Sequence, residues 1–153
     1  GHTVELAKIA GYMHDIGNCV NRLDHPHSGA LMAHQILRDM KMDYEDIAVI
    51  INAIGMHDEK SGGAVDTVSA ALILADKTDV RRDRVRNQNK EVSSSLDIQK
   101  EKKVIKLDLQ LDENICSMMD YFEIFLQRML MCRRAASVLG TTFKLNANGN
   151  KIC

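Results

Sequence analysis

The apolar spacing of this chain changes period part-way along, and that change limits what it can fold into. Up to about residue 82, apolar residues recur three and four apart, the interval of a helix face. Val4, Ala7, Ile9, Ala10 and Met13 form one such stripe. Ala30, Leu31, Ala33, Ile36, Leu37 and Met40 form a second, Ile47, Ile50, Ile51 and Ile54 a third, and Val68, Ala71, Leu72 and Ala75 a fourth. After residue 95 the interval drops to two: Leu96-x-Ile98, then Val104-x-x-Leu107-x-Leu109-x-Leu111. Alternation of that kind is a strand with one buried face.

Capping and turn residues divide these stretches. Thr3 is placed as the cap of a helix over 3–15, ended by Gly17 and Asn18. Pro26, beside His25, opens a second helix, because proline suits the first helical turn. Asp43 caps a third and Asp66 a fourth that continues to about Arg81. Asp83 to Ser95 is polar and ends in three serines, so residues 83–94 read as a linker. A hairpin follows. Asp112 is the expected cap of a long helix striped by Ile115, Met118, Met119, Phe122, Phe125, Leu126, Met129 and Leu130, with Gly140 as its stop. Asn148-Gly149 then turns a last hairpin. The expected fold is mainly α: a helical bundle over 1–82, then a small C-terminal ββαββ α+β unit over 95–153.

Net charge is −1, but residues 1–80 carry 6 Lys/Arg against 12 Asp/Glu, and residues 81–153 carry 14 against 9. An acidic metal site beside a basic phosphate-binding region would give that asymmetry; so would an uneven solvated surface. Aromatics are 4% of the chain, too few for base-stacking platforms, so no nucleic acid is expected as a partner. No apolar run is long enough to span a membrane. Cys19, Cys116, Cys132 and Cys153 are dispersed without a C-x-x-C pair, which argues against a cysteine zinc site and for reduced thiols in the cytoplasm. Ser61-Gly62-Gly63 lacks the lysine and spacing of a phosphate loop, and no Ser-His-Asp or Cys-His nucleophile pattern is present.

Four short motifs carry chemistry. They are Met13-His14-Asp15-Ile16-Gly17, His25-Pro26-x-x-Gly29-Ala30, Ala53-Ile54-x-x-His57 and Leu74-Ala75-Asp76-Lys77. Imidazole and carboxylate together suit a divalent metal: Mn, Fe, Mg, Ni, Co or Zn. Each residue also has an ordinary explanation. His14 can be a core histidine bonded to a carbonyl, Asp15 a turn-former, His25 an N-cap, and His57 a cation at a helix C-terminus. Asp76 sits in an apolar run, where burial is costly unless it is paired. Lys77 and Arg81 share a helix face and, with Arg82, can hold phosphate or simply form a solvated basic helix end.

In order and local context, these motifs resemble the HD-domain superfamily of metal-dependent phosphohydrolases. The similarity is nearest to small bacterial members that cleave nucleotides, and it covers roughly residues 4–82. It implies His14, Asp15 and Asp76 as ligands of one divalent ion. It implies His25, rather than His27, and His57 as ligands of a second, with Asp15, His25 and His57 at the chemistry. Lys77, Arg81 and Arg82 would face the substrate. The implied activity is hydrolysis of a phosphoester or phosphoanhydride, with a phosphorylated small molecule or nucleotide as partner and no membrane. The superfamily's first histidine lies on an earlier helix, whereas 13 residues precede His14 here. The chain therefore reads as lacking that helix. This supports the rival expectation of a catalytically incomplete domain that senses nucleotides or dimerises through the edges of its ββαββ unit.

Overall fold

The computed structural model describes residues 1–79, 92–112, 114 and 117–153. It divides into two compact units, Gly1–Ile73 and Leu74–Cys153.

The first unit is helical. α1 (His2–Met13) starts from Gly1 rather than Thr3 and ends at His14. A single 3-10 turn, Ile16–Cys19, follows. α2 (His25–Asp39) carries Pro26 in its first turn, with Asp24 before it. α3 (Tyr44–Gly55) is capped by Asp43, whose carboxylate accepts from the Glu45 amide. α4 (Thr67–Thr78) begins in this unit. At its start the Asp66 carboxylate accepts from the Ser69 amide at 2.7 Å, while the Ser69 hydroxyl accepts from the Asp66 amide at 3.0 Å. That exchange satisfies donors no helix turn can reach. The helices close over one core: Leu6, Ala10 and Met13 of α1, Ala33 and Leu37 of α2, Ile47, Ile50, Ala53 and Ile54 of α3, and Val68 and Leu72 of α4. Each large aliphatic side chain buried there contributes about 1.5–3 kcal/mol.

The second unit is the ββαββ arrangement that the alternation implied. β1 (Val92–Gln99) and β2 (Val104–Leu111) form an antiparallel hairpin. α5 (Met118–Val138) crosses over to β3 (Thr142–Ala147), which lies parallel to β2. β4 (Asn150–Lys151) closes the order β1-β2-β3-β4. Ile105, Leu107 and Leu109 stand opposite Phe143, Leu145 and Ala147, and all six are buried. Three features of this unit differ from expectation. β1 takes in the serines assigned to the linker. The cap of α5 is Ser117, not Asp112: its hydroxyl bonds the Asp120 amide, and the Asp120 carboxylate bonds the Ser117 amide. The buried side of α5 is Tyr121, Met129, Cys132, Ala135 and Ala136, whereas Met119 and Leu126 are exposed. Small residues late in the helix let its backbone approach the sheet. Ile115, on the expected stripe, lies outside the described residues.

α5 ends as its glycine implied. Gly140 has φ +67°, its amide bonds the Ser137 carbonyl, and the Thr141 amide bonds the Ala136 carbonyl. Asn148 and Gly149 both have positive φ, as a two-residue hairpin turn requires. The Asn148 side chain also accepts from the Leu111 amide at 2.7 Å and donates to its carbonyl at 3.1 Å, extending the β2 ladder.

Candidate metal centre

Helix ends bring the site together. The last carbonyls of any helix lack intrahelical donors. His14 follows the last residue of α1, and its Nδ1 lies 2.7 Å from the Gly11 carbonyl. His57 follows α3 by two residues, and its Nδ1 bonds the Ile54 carbonyl. His25 opens α2, with Nδ1 2.8 Å from the Arg22 carbonyl. A carbonyl only accepts, so in each ring Nδ1 carries the proton. A neutral imidazole in that tautomer presents Nε2 as a lone pair.

Those lone pairs converge. The Nε2 atoms of His25 and His57 are 3.0 Å apart, in rings that are 8% and 1% exposed. The His14 and His57 rings meet edge to face with centroids 5.1 Å apart. Asp15 supplies the negative charge: one oxygen is 3.6 Å from His25 Nε2 and 4.0 Å from His57 Nε2, and the other is 3.5 Å from His14 Nε2. The Asp15 side chain is half exposed, so the cluster has a solvent side. One atom each from Asp15, His25 and His57 lies within 4.8 Å of the others, which is a possible ligand set for an ion.

The donor set fits a divalent metal. Two lone pairs 3.0 Å apart repel each other in a dry interior, and a cation between them turns that repulsion into coordination. Nitrogens about 2.1 Å from one ion and at right angles are about 3.0 Å from each other. An Nδ1–H held by a carbonyl is the usual outer partner of a metal-ligating histidine.

Two glycines make the approach of the backbones possible. A Cβ on Gly17 would lie 2.1 Å from the His25 carbonyl oxygen and 2.6 Å from the Gly29 amide nitrogen. A Cβ on Gly29 would lie 3.3 Å from the Gly17 nitrogen. The sequence presented Gly17 as a helix breaker. Its closer role, letting the turn after His14-Asp15 rest on the first turn of α2, depends on a contact distant in sequence.

Three further residues have close partners of their own. His27 is exposed and bonds Asp24 at 2.8 Å, outside the cluster. Asp58 closes a turn through the Lys60 amide. Asp76 lies on the part of α4 that belongs to the second unit, its side chain 11% exposed and 2.7 Å from the Lys77 ammonium. Lys77 is itself buried, so its cation rests on a carboxylate, as a buried charge requires. Arg81 and Arg82 lie outside the described residues.

A helical domain that gathers imidazoles and a carboxylate at its helix ends is a metal-binding domain in form. The HD domain family matches residues 1–107, and the chain belongs to that family, one of divalent-metal-binding, typically hydrolytic proteins. Ribonuclease Y of Chlorobium luteolum is 40% identical over 73 residues, which is 46% of this chain and 13% of that protein. No solved structure matches the chain significantly. Among the described residues, no helix is long and apolar enough to cross a membrane.

Proposed function

We propose that this chain is a metal-dependent phosphohydrolase that cleaves a phosphoester or phosphoanhydride of a nucleotide. The observation that carries the reading is the pair of buried Nε2 atoms facing each other, each ring set by an Nδ1–H bond to a carbonyl, with Asp15 beside them. His14, Asp15, His25 and His57 would hold the ion or ions. Asp76 is added from its motif, with Lys77 holding that carboxylate. When bound, the metal supplies a water of lowered pKa and positive charge to offset the phosphoryl oxygens. The chain's own residues do the rest. The carbonyls of Gly11, Arg22 and Ile54 orient the rings through Nδ1–H. Gly17 and Gly29 hold the helix ends together. Arg81 and Arg82, just after α4, are proposed to take the phosphates as bidentate donors.

The similarity to a ribonuclease supports phosphorus–oxygen hydrolysis as the shared chemistry. The exposed free thiols of Cys19 and Cys153 suit the reducing cytoplasm, where nucleotides are abundant. The test is metal content by mass spectrometry on protein purified without chelator, beside Asp15→Ala, followed by phosphate release from nucleoside mono-, di- and triphosphates, dinucleoside polyphosphates and a short RNA. Metal in the parent, its loss in the variant and turnover of a free nucleotide are expected. No metal after incubation with Mn, Fe or Ni overturns the reading. Cleavage of RNA alone moves the substrate to the polymer.

A further inference from the structure

The two edges of the sheet in the second unit are unlike. β4 is two residues long, both exposed. β1 is eight residues long and, among the described residues, pairs with β2 alone. A strand of that length leaves a row of outward N–H and C=O groups that another strand satisfies. Its side chains add a second feature. Leu96 stands opposite Leu107 and Ile98 opposite Ile105, on the sheet's buried face. Leu107 and Ile105 are 0% and 4% exposed, yet Leu96 is 42% and Ile98 59% exposed. The apolar face therefore continues to the edge, past the cover of its own helix.

We propose that this edge is a self-association surface, on which a second copy of the chain adds its β1 antiparallel across a two-fold axis. Charge selects the register. Pairing centred on Asp97 sets two carboxylates directly opposite each other, which is unfavourable. Pairing centred on Ser95 sets Leu96 against Ser94 on both strands. Pairing centred on Leu96 sets that leucine against its own mate. It also places the Ser95 hydroxyl where it donates to Asp97 of the second copy, twice over by symmetry. In that register the segment is complementary to itself, which is what an isologous interface requires. The two sheets become one of eight strands, and the exposed Leu96 and Ile98 gain cover. The surface lies wholly in the second unit and is independent of the metal reading.

The experiment uses the full chain. Sedimentation velocity at micromolar concentration is expected to show a dimer, and Ile98→Lys is expected to weaken association at least tenfold with an unchanged circular dichroism spectrum. Directly opposed antiparallel residues have Cα atoms about 4.5–5.5 Å apart, inside the roughly 4.4–6.8 Å range of a disulfide. Leu96→Cys, with Cys19, Cys116 and Cys153 replaced by serine, is therefore expected to form a covalent dimer under mild oxidation. A monomeric parent overturns the proposal. So does a dimer that Leu96→Cys fails to link, whatever Ile98→Lys does to it. If Ile98→Lys does not fold, the cross-link decides alone.

Discussion

Replacing Gly17 by alanine tests how far the site depends on the close approach of two backbones. The added methyl would meet the His25 carbonyl oxygen at 2.1 Å, the Gly29 nitrogen at 2.6 Å and the Ser28 hydroxyl at 2.7 Å. Only the hydroxyl can swing away. The first two are backbone atoms in the opening turn of α2, so the turn and the helix must part by roughly 1.3 Å to restore ordinary contact in a close-packed interior. Overpacking of this kind costs about 1–3 kcal/mol. For a chain of this size that lowers the thermal midpoint by roughly 3–10 °C. The displacement lies between Asp15 on one side and His25 on the other, the pair whose oxygen and nitrogen are 3.6 Å apart. A misplacement near 1 Å at a catalytic centre can cost about a hundredfold in rate. The assay is thermal unfolding with and without added Mn, together with metal titration. Gly17→Ala should unfold earlier and lose most of the parent's metal-induced stabilisation. An unchanged midpoint and an unchanged metal affinity would refute the argument that this glycine sets the distance between the ligands.

Further outcomes follow from particular contacts. His25→Gln should reduce bound metal per chain by more than half in elemental analysis, whereas His27→Gln, at an exposed residue bonded only to Asp24 among the described contacts, should leave it unchanged. Ser117→Ala removes the hydroxyl that caps α5 and should cost about 1 kcal/mol in thermal unfolding, while Asp112→Ala should not act through that cap. The Lys106 ammonium beside Asp108, with a further bond from Asn146, holds that carboxyl below its usual range. A lowered value means the ionised form stabilises the fold above the ordinary carboxylate range and stops doing so as pH falls through the folded value. Asp108→Asn should therefore cost about 0.2–1 kcal/mol near neutral pH and progressively less in acid, read from urea unfolding across pH.

Local signals account for the elements that sequence reading places well. Asp43, Asp66, Gly140 and Asn148-Gly149 each act on backbone groups within a few residues, so their chemistry is visible without the fold. The cap of α5 was equally local, yet Asp112 drew attention from Ser117, although the aspartate three residues on is half of a capping box. The stripe of α5 is another matter. Met119, at 78% exposure, and the fully buried Ala136 are ranked wrongly by hydrophobicity alone. Which side of a helix is buried depends on how closely its backbone reaches the sheet, and alanine and cysteine permit the closest approach.

The candidate ligands were legible in the sequence, and what orients them was not. A histidine bonded to a carbonyl in its own turn and a histidine that binds metal are alternatives when only the sequence is in view. In the fold, the carbonyl bond of His14 and His57 is compatible with a ligand role. The carbonyls of Gly11 and Ile54 belong to the last turns of α1 and α3, where the regular helix ladder runs out. The Nδ1–H of each ring satisfies that carbonyl, and the same bond leaves Nε2 without a proton on the side where Asp15 and His25 stand. The bond that closes the helix therefore also prepares the ligand. His14 and His57 stand just beyond helix ends, from where a ring reaches back to the last turn.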